Sequence, residues 1–259
     1  MNWIEALILG IVQGLTEFLP VSSSGHLEIG KVILGIDMKE EITFTIVVHG
    51  ATVCSTIVVF YKEIGSLLKG MFSSSWNSST AYILKLLFSC IPVLLVGIFF
   101  REKVEALFSG NLKLVGSMLI ITALLLAVTH LARSKNKQIS FMHSFIIGIA
   151  QAIAVIPGIS RSGSTISTGL LLGINREEVA RFSFLMVLIP IIGANMLDLL
   201  SNKLENEPSQ VVPLLVGFMA AFISGWMSCK LMINIVKRSK LFYFAAYCLL
   251  IGIAGLIFS

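Results

Sequence analysis

Apolar and polar residues alternate along this chain in long blocks. Six blocks hold about 20 mostly apolar residues each, the length that an α-helix needs to cross the hydrocarbon core of a membrane. These predicted spans are residues 42–61, 81–100, 112–132, 179–200, 211–236 and 241–258. The polar connections are short, and only residues 62–80 have room for a short interfacial helix.

Two further apolar blocks, residues 3–34 and 141–173, are interrupted near the middle by Pro, Gly and Ser. The first interruption lies in QGLTEFLPVSSSGH (13–26) and the second in QAIAVIPGISRSGST (151–165). Backbone that leaves the helix at membrane depth must be sheltered by protein or water, because lipid offers no hydrogen-bond partner. We therefore predict two re-entrant helical hairpins whose tips lie inside the protein.

The interrupted blocks belong to an internal repeat. At an offset of 138 residues, positions 10–46 align with 148–184, and 11 of the 37 pairs are identical, including the S-x-S-G sequence of both copies. Each copy (1–135 and 140–259) holds one hairpin and three spans, so the second enters the membrane from the opposite side. The predicted fold is an all-α polytopic membrane protein. Residues 1–259 form a single membrane domain with six transmembrane helices and two re-entrant hairpins in an inverted-topology repeat.

Composition supports a membrane protein and argues against other classes. The chain is 56% hydrophobic and 13% charged, whereas soluble proteins are about half apolar and about a quarter charged. The opening sequence MNWIEALILG has no basic segment, so we do not expect a cleaved signal peptide. The net charge of +5 comes without a long basic run, so we expect no nucleic-acid partner. The four cysteines are predicted to be packing residues.

Loop charges predict an orientation. Ten basic residues fall in loops on one face and five on the other, and the positive-inside rule places the richer face in the cytoplasm. The richer face carries Lys62, Lys69, Arg133, Lys135, Lys137, Arg176, Arg181, Lys237, Arg238 and Lys240. The other face carries Lys39, Arg101, Lys103, Lys113 and Lys203. The first hairpin and both termini would then lie on the outer side.

The first tip collects groups suited to catalysis. Gln13 and Glu17 are four residues apart and share a helix face, and Pro20 ends that helix. Any of the serines 22–24 is a candidate nucleophile, with His26 as a base and Glu17 as a carboxylate that orients the base or holds a metal. Serines alone would suit a polar hinge. Together with Glu17 and His26 they favour a functional site.

The second tip places an arginine among hydroxyl groups. Its polar residues are Ser160, Arg161, Ser162, Gly163 and Thr165. The planar guanidinium suits phosphate or carboxylate, and the hydroxyls with the following helix N-terminus complete a cradle for an anion. The alternative is a structural ion pair with the glutamate of the first tip, which would still place both residues at one site.

The two tips together can bind a multiply charged anion and a divalent cation and can supply a nucleophile. Phosphoryl transfer from a lipid-borne phosphate fits these parts, because that chemistry depends mostly on positioning and charge neutralisation. His49, in the first span, is either a wall of this site or a histidine satisfied between helices.

The motifs QGLTEFLPVSSSGH and PGISRSGST resemble the two signature motifs of the undecaprenyl-diphosphate phosphatase family, also known as bacitracin-resistance proteins. The resemblance implies hydrolysis of undecaprenyl diphosphate to the monophosphate and inorganic phosphate, which recycles the lipid carrier for cell-wall synthesis. It implies a divalent cation (Mg, Ca or Mn) and a polyprenyl diphosphate substrate among membrane lipids. It also implies a multi-pass location in the bacterial inner (plasma) membrane with a site open to the outer face. A homodimer is compatible with the sequence.

The resemblance also implies roles for individual residues. Glu17 matches the metal-binding or catalytic glutamate, and Ser23 matches the proposed nucleophile. His26 matches the base or acid, and Arg161 matches the phosphate-binding arginine. The supporting, substrate-binding residues are Ser22, Ser24, Ser160, Ser162, Gly163 and Thr165. Gln13 stands where the family's E-x-x-x-E pair has its first acid, so a cation would be held by Glu17, Gln13 and substrate oxygens.

Other functions use similar parts. A polyprenyl-phosphate flippase or transporter fits the predicted architecture, because inverted repeats with half-helices meeting at the midplane are typical of secondary transporters. The nucleophile and base favour an enzyme, since transport requires neither. A second membrane phosphatase superfamily uses PSGH and SRx5Hx3D motifs. The SSGH sequence at 23–26 is close to the first motif, but the second motif is absent because no histidine follows Arg161. A Ser/His intramembrane protease leaves Arg161 without a role.

Overall fold

The computed structural model describes residues 1–36, 42–72, 76–108, 110–132, 136–200, 211–238 and 241–258. Within these ranges the chain forms thirteen α-helices, and a 3-10 turn, Thr129–Leu131, follows the seventh. The helices are α1 (Trp3–Phe18), α2 (Ser23–Leu34), α3 (Ile42–Val59), α4 (Tyr61–Met71), α5 (Ser78–Phe99), α6 (Arg101–Glu105), α7 (Leu112–Val128), α8 (Phe141–Ile153), α9 (Arg161–Leu171), α10 (Arg176–Met186), α11 (Leu188–Leu200), α12 (Val211–Lys237) and α13 (Phe242–Ile257).

Several helices have the length and apolar character of membrane spans. Among the described residues, four helical segments can cross a membrane on these criteria: Ser78–Phe99, Leu112–Leu131, Arg176–Leu197 and Val211–Lys237. They coincide with four of the predicted spans. A fifth candidate joins α3 to α4 through a bend of 77°. The protein is therefore an all-helical, polytopic membrane protein, as the sequence predicted.

Two predicted spans differ from the helices that the chain forms. The predicted span 42–61 ends at Val59 in the structure, because the helix breaks at Phe60. Helix α4 begins at Tyr61 and is bent by 77° relative to α3. The polar residues that begin at Tyr61 make α4 amphipathic, and Lys62 and Lys69 on it are exposed. The predicted span 241–258 is the 16-residue helix α13, which is shorter than the four spanning segments.

The basic residues used to predict the orientation are only partly described. Lys39, Arg133, Lys135, Lys203 and Lys240 lie outside the described ranges. Among the others, Lys62 and Arg181 line one surface cavity, and both Arg181 and Lys237 form ion pairs with Glu177. Helices α4, α10 and α12 thus bring basic residues to one face. Which side of the membrane this face occupies stays a prediction.

Both interrupted blocks form two helices separated by a break. Pro20 follows the end of α1, where its missing N–H and fixed ring prevent the helix from continuing. In the second break Gly158 adopts a φ of 95°, a left-handed conformation that glycine tolerates without strain. Each break ends in a serine whose hydroxyl caps the next helix: Ser22 accepts from Gly25 N–H at 3.2 Å, and Ser160 accepts from Gly163 N–H at 3.0 Å.

Small residues let the first helix of each block approach a helix from the other half of the chain. Gly10 and Gly14 form a GxxxG pattern on α1, and a Cβ added to Gly14 would lie 2.5 Å from the carbonyl oxygen of Ala221 on α12. Gly148 on α8 likewise lies directly against the backbone of Ser89 on α5. Helices α1 and α8 are therefore fixed against α12 and α5.

Three apolar clusters hold the first break in place. Phe18 belongs to a cluster with α9, α10 and α12, and its ring packs edge-on against Phe184 at 5.7 Å. Val21 belongs to a second cluster with α7 and α13. Leu9 and Leu27, on the two helices that flank the break, lie in a third cluster with α3 and α12. The polar residues of the break are thus surrounded by packed helices.

Candidate active site

The two breaks lie against each other. Ser162 Oγ donates to the carbonyl oxygen of Leu19 at 3.2 Å, which joins the second break to the first. A Cβ added to Gly25 would lie 3.1 Å from Gly158 Cα, and one added to Gly163 would lie 3.4 Å from Pro20 Cβ. The glycine of each S-x-S-G sequence therefore faces the opposite break, and a side chain at Gly25 would crowd it. The two tips meet at one place, as the sequence predicted.

Glu17 lies at the centre of this meeting point. Its Oε2 accepts hydrogen bonds from Ser23 Oγ at 2.7 Å and from Gln13 Nε2 at 3.0 Å. Its Oε1 pairs with Nη2 of Arg161, across the two breaks. Glu17 is 7% exposed, and a carboxylate at that depth is costly unless it is paired and hydrogen-bonded. The ion pair considered from the sequence is present, and it brings a hydroxyl, a carboxylate and a guanidinium together.

Arg161 has a buried donor group that no described residue satisfies. Its Nη1 is buried and has no hydrogen-bond partner among the described residues, while Nη2 is used by Glu17. A buried donor without a partner costs about 1–3 kcal/mol, so its presence needs an explanation. An anion bound beside the ion pair would supply the missing acceptor.

The hydroxyls predicted to bind substrate fall into two groups. Ser22 and Ser160 are buried and cap helices, and the Ser22 backbone is left-handed at φ 69°. Thr165 is fully buried, where it donates to the Arg161 carbonyl at 2.9 Å and bonds with Ser183 Oγ at 2.5 Å. These three hydroxyls hold the breaks in shape.

The remaining predicted substrate ligands differ in accessibility. Ser162 is buried and bonded to the first break, and the amide of Gly163 is used by the helix cap. Ser23 and Ser24 are half-buried, and Ser24 Oγ lies 3.3 Å from Ser22 Oγ. Ser23 and Ser24 are therefore the hydroxyls of the first tip that an incoming group reaches most readily.

His26 does not contact the predicted nucleophile. Its Nδ1 lies 2.8 Å from the carbonyl oxygen of Ser22, and its Nε2 lies 2.9 Å from Tyr247 Oη. Both ring nitrogens are thus occupied, and the hydrogen bond of Ser23 goes to Glu17 and not to the histidine that was predicted as its base. The predicted contact in which Glu17 orients His26 is also replaced, because the carboxylate is used by Ser23, Gln13 and Arg161.

Two residues outside the motifs reach the site. His49 on α3 places Nε2 4.0 Å from Glu17 Oε2, while its Nδ1 is 2.8 Å from the Thr45 carbonyl oxygen. Of the two alternatives for His49, it therefore lies at the wall of the site. Tyr247 on α13 was missed, because it is one of several aromatic residues in an apolar helix and carries no motif. Only its contact with His26 identifies it.

The oxygen atoms of Glu17 and Gln13 are suited to bind a cation that is also bound by oxygens of the substrate. In the described part of the chain no group of three or more His, Cys, Asp or Glu side chains could hold a metal ion. Gln13 Oε1, however, is buried and has no partner among the described residues, beside the carboxylate of Glu17. Mg²⁺ is often bound by one or two protein oxygens together with substrate phosphates. Glu17 and Gln13 offer that set.

The fold and the site define an integral membrane protein in which two broken helix pairs enclose a hydroxyl, a carboxylate and a guanidinium. The chain matches the model of the family described as Bacitracin resistance protein BacA over residues 6–254, and it belongs to that family. The family resemblance of the two motifs is thereby confirmed.

Curated relatives cover essentially the whole chain. A protein of Parabacteroides distasonis is 54% identical over 261 residues, 99% of this chain and 97% of the relative. One of Bacteroides fragilis is 52% identical over 263 residues, 100% and 99% of the two chains. One of Carboxydothermus hydrogenoformans is 39% identical over 264 residues, 99% and 97%. All three carry the name undecaprenyl-diphosphatase.

Proposed function

We propose that this protein is an undecaprenyl-diphosphate phosphatase. It hydrolyses undecaprenyl diphosphate to undecaprenyl phosphate and inorganic phosphate in the bacterial inner membrane, and so recycles the lipid carrier of cell-wall synthesis. The full-length similarity to proteins of that name supports the activity. The observation that carries the proposal is the Glu17 carboxylate, which joins the hydroxyl of Ser23 to the guanidinium of Arg161.

Arg161 binds the terminal phosphate of the substrate. Its Nη1, which has no hydrogen-bond partner among the described residues, donates to a phosphate oxygen, and its ion pair with Glu17 fixes the plane of the guanidinium. Such a charge-assisted hydrogen bond is roughly twice as strong as a neutral one. The half-buried Ser24 hydroxyl lies beside Ser22 at the same tip and donates to a second oxygen.

Ser23 and Glu17 carry out the transfer. Glu17 Oε2 takes the proton of Ser23 Oγ, which attacks the terminal phosphorus, and the bond from that phosphorus to the bridging oxygen breaks. The lipid monophosphate leaves. Water then attacks the phosphorus, and the bond from phosphorus to Ser23 Oγ breaks. Glu17 returns its proton to the serine oxygen, and both protons of the attacking water stay on the inorganic phosphate.

A divalent cation (Mg, Ca or Mn) completes the proposal. Glu17 and Gln13 would hold it with their oxygens, together with oxygens of the diphosphate. When bound, it would neutralise charge that develops on the phosphate groups. Because Gln13 is uncharged, Glu17 would be the one ionised carboxylate among these two protein ligands of the cation.

The proposed topology has six transmembrane helices and two re-entrant hairpins in an inverted-topology repeat, with the site open to the outer face. Its support is the exchanged packing of the two halves: α1 packs on α12, and its counterpart α8 packs on α5. The capping serines Ser22 and Ser160 are also counterparts in the repeat. A repeat of this kind brings its two breaks together from opposite sides.

Phosphate release by the purified protein tests the activity. Detergent-solubilised protein is incubated with undecaprenyl or farnesyl diphosphate and Mg²⁺, Ca²⁺ or Mn²⁺, and inorganic phosphate is measured. We expect release that chelation abolishes. The control is the double variant Glu17→Gln with Arg161→Ala, which leaves no unpaired charge of this ion pair in the site. No release by the wild type with any of the cations would refute the phosphatase.

A further inference from the structure

Helix α13 brings to the site a side chain that belongs to neither motif. Tyr247 lies 221 residues from His26 in sequence, yet its Oη is 2.9 Å from His26 Nε2. The two rings are stacked, with centroids 5.5 Å apart and planes at 10°. Tyr247 therefore touches His26 through both its ring and its hydroxyl.

The backbone around Tyr247 is held in place by two further contacts. The next residue, Cys248, is fully buried and donates from Sγ to the Pro20 carbonyl oxygen at 3.6 Å, inside the first break. Further along α13, a Cβ added to Gly252 would lie 2.8 Å from the carbonyl oxygen of Gly116 on α7. Tyr247 is thus held against the same loop that precedes His26.

The hydrogen bonds determine which ring nitrogen of His26 carries the proton. A carbonyl oxygen only accepts, so the contact with Ser22 requires a hydrogen on Nδ1. In the neutral imidazole Nε2 is then the acceptor, and the hydroxyl of Tyr247 donates to it. Any proton that His26 takes up or gives away must therefore pass through Nε2, where Tyr247 sits.

We propose that Tyr247 is a positioning residue of the phosphatase reaction. It holds the His26 ring in one plane and one tautomer, with Nε2 at the edge of the site and away from Ser23. The inference rests on the proposed function and deepens it, because it assigns a role to α13 that the two motifs do not contain. His26 in turn bonds to the carbonyl oxygen of Ser22, the residue before Ser23, and Tyr247 sets the direction in which Nε2 points.

The test compares Tyr247→Phe with Tyr243→Phe. Phenylalanine at 247 keeps the stacked ring and removes only the hydroxyl, and Tyr243 is an exposed tyrosine one turn earlier on the same helix. We expect kcat of Tyr247→Phe to fall about 5- to 10-fold, the size of one hydrogen bond, with KM unchanged within about twofold. Tyr243→Phe should match the wild type in both constants.

Nitrogen-15 NMR of histidine-labelled protein provides a readout that a packing role would not move. The His26 signals are assigned by their loss in His26→Gln. In the wild type we expect Nδ1 protonated and Nε2 unprotonated and hydrogen-bonded. In Tyr247→Phe the Nε2 signal should shift, while Tyr243→Phe leaves it in place.

The outcomes separate the two proposals. An active wild type with an unchanged kcat in Tyr247→Phe, or an unchanged Nε2 signal, would refute the role of Tyr247 alone. A wild type that releases no phosphate would refute the phosphatase and, with it, this role.

Discussion

Glu17 connects the parts of the site at the level of single residues. Its hydrogen bond from Ser23 is 2.7 Å long, within the range of charge-assisted O–H···O⁻ bonds. The ion pair with Arg161 offsets the cost of keeping a carboxylate at this depth. Ser23 thus has an acceptor for its proton before any substrate arrives. This geometry favours covalent catalysis by Ser23 over direct attack by water.

Replacing Ser23 by alanine is therefore expected to reduce phosphate release by at least about 100-fold, because the nucleophilic hydroxyl is removed. The matched variant Ser24→Ala removes the neighbouring half-buried hydroxyl and should cost less, chiefly in KM. Rates of phosphate release measured over a range of substrate concentrations distinguish the two effects. More than a tenth of wild-type turnover in Ser23→Ala would instead indicate that water attacks directly and that Ser23 is only a ligand.

At the level of helices, close packing decides where the breaks lie. The GxxxG pattern of Gly10 and Gly14 places α1 directly on α12, and Gly148 does the same for α8 on α5. Ser228 Oγ on α12 also donates to the Gly14 carbonyl oxygen at 3.0 Å. Because Gln13 and Glu17 lie on α1, the position of the Glu17 carboxylate depends on this helix contact.

We expect Gly14→Ala to destabilise the protein by about 1–3 kcal/mol, the usual cost of overpacking. Its Cβ would lie 2.5 Å from the Ala221 carbonyl oxygen and 2.7 Å from the Gly225 nitrogen, so backbone must move. The measurement is the melting temperature in detergent, which should fall by several degrees.

Gly97→Ala is the matched control for this helix contact. Gly97 also lies within a helix, but an added Cβ there meets no described atom within 4 Å. Alanine in a helix is intrinsically favourable relative to glycine, so the melting temperature should stay level or rise slightly. Equal melting temperatures for Gly14→Ala and the wild type would show that α1 and α12 are not closely packed there.

At the level of the whole molecule, the predicted topology gives the chain two faces with different numbers of basic residues. Lys62, Arg181 and Lys237 gather around the ends of α4, α10 and α12. Helix α6 carries Arg101 and Lys103, which the sequence assigns to the face with fewer basic residues. The positive-inside rule then predicts that α4 lies on the cytoplasmic side and α6 on the outer side.

Labelling of an introduced cysteine tests this orientation. In a Cys54→Ser background, which removes the exposed native cysteine, cysteine is introduced by Glu102→Cys or Lys69→Cys at exposed positions on α6 and α4. A membrane-impermeant maleimide added to spheroplasts should label Glu102→Cys and leave Lys69→Cys unlabelled until the membrane is broken. The reverse pattern would invert the proposed topology and place the entry of the first hairpin in the cytoplasm.

Local patterns in the sequence were sufficient for much of this protein. Apolar block lengths identified the four helical segments that can cross a membrane, because crossing lipid sets a minimum length that is visible in sequence. Proline and glycine located both breaks, since they act on their own backbone. The two motifs identified the family and the candidate site residues, including the Arg161–Glu17 pair as one alternative.

Only the tertiary structure decided which groups share hydrogen bonds. Ser23 donates to Glu17 while His26 bonds to Ser22 and Tyr247, because a side chain near in sequence competes with partners brought close by packing. The capping of helices by Ser22 and Ser160 likewise depends on where the breaks end. Helix α13 reaches the first break through packing against α7, and no pattern within one helix encodes its distance from another.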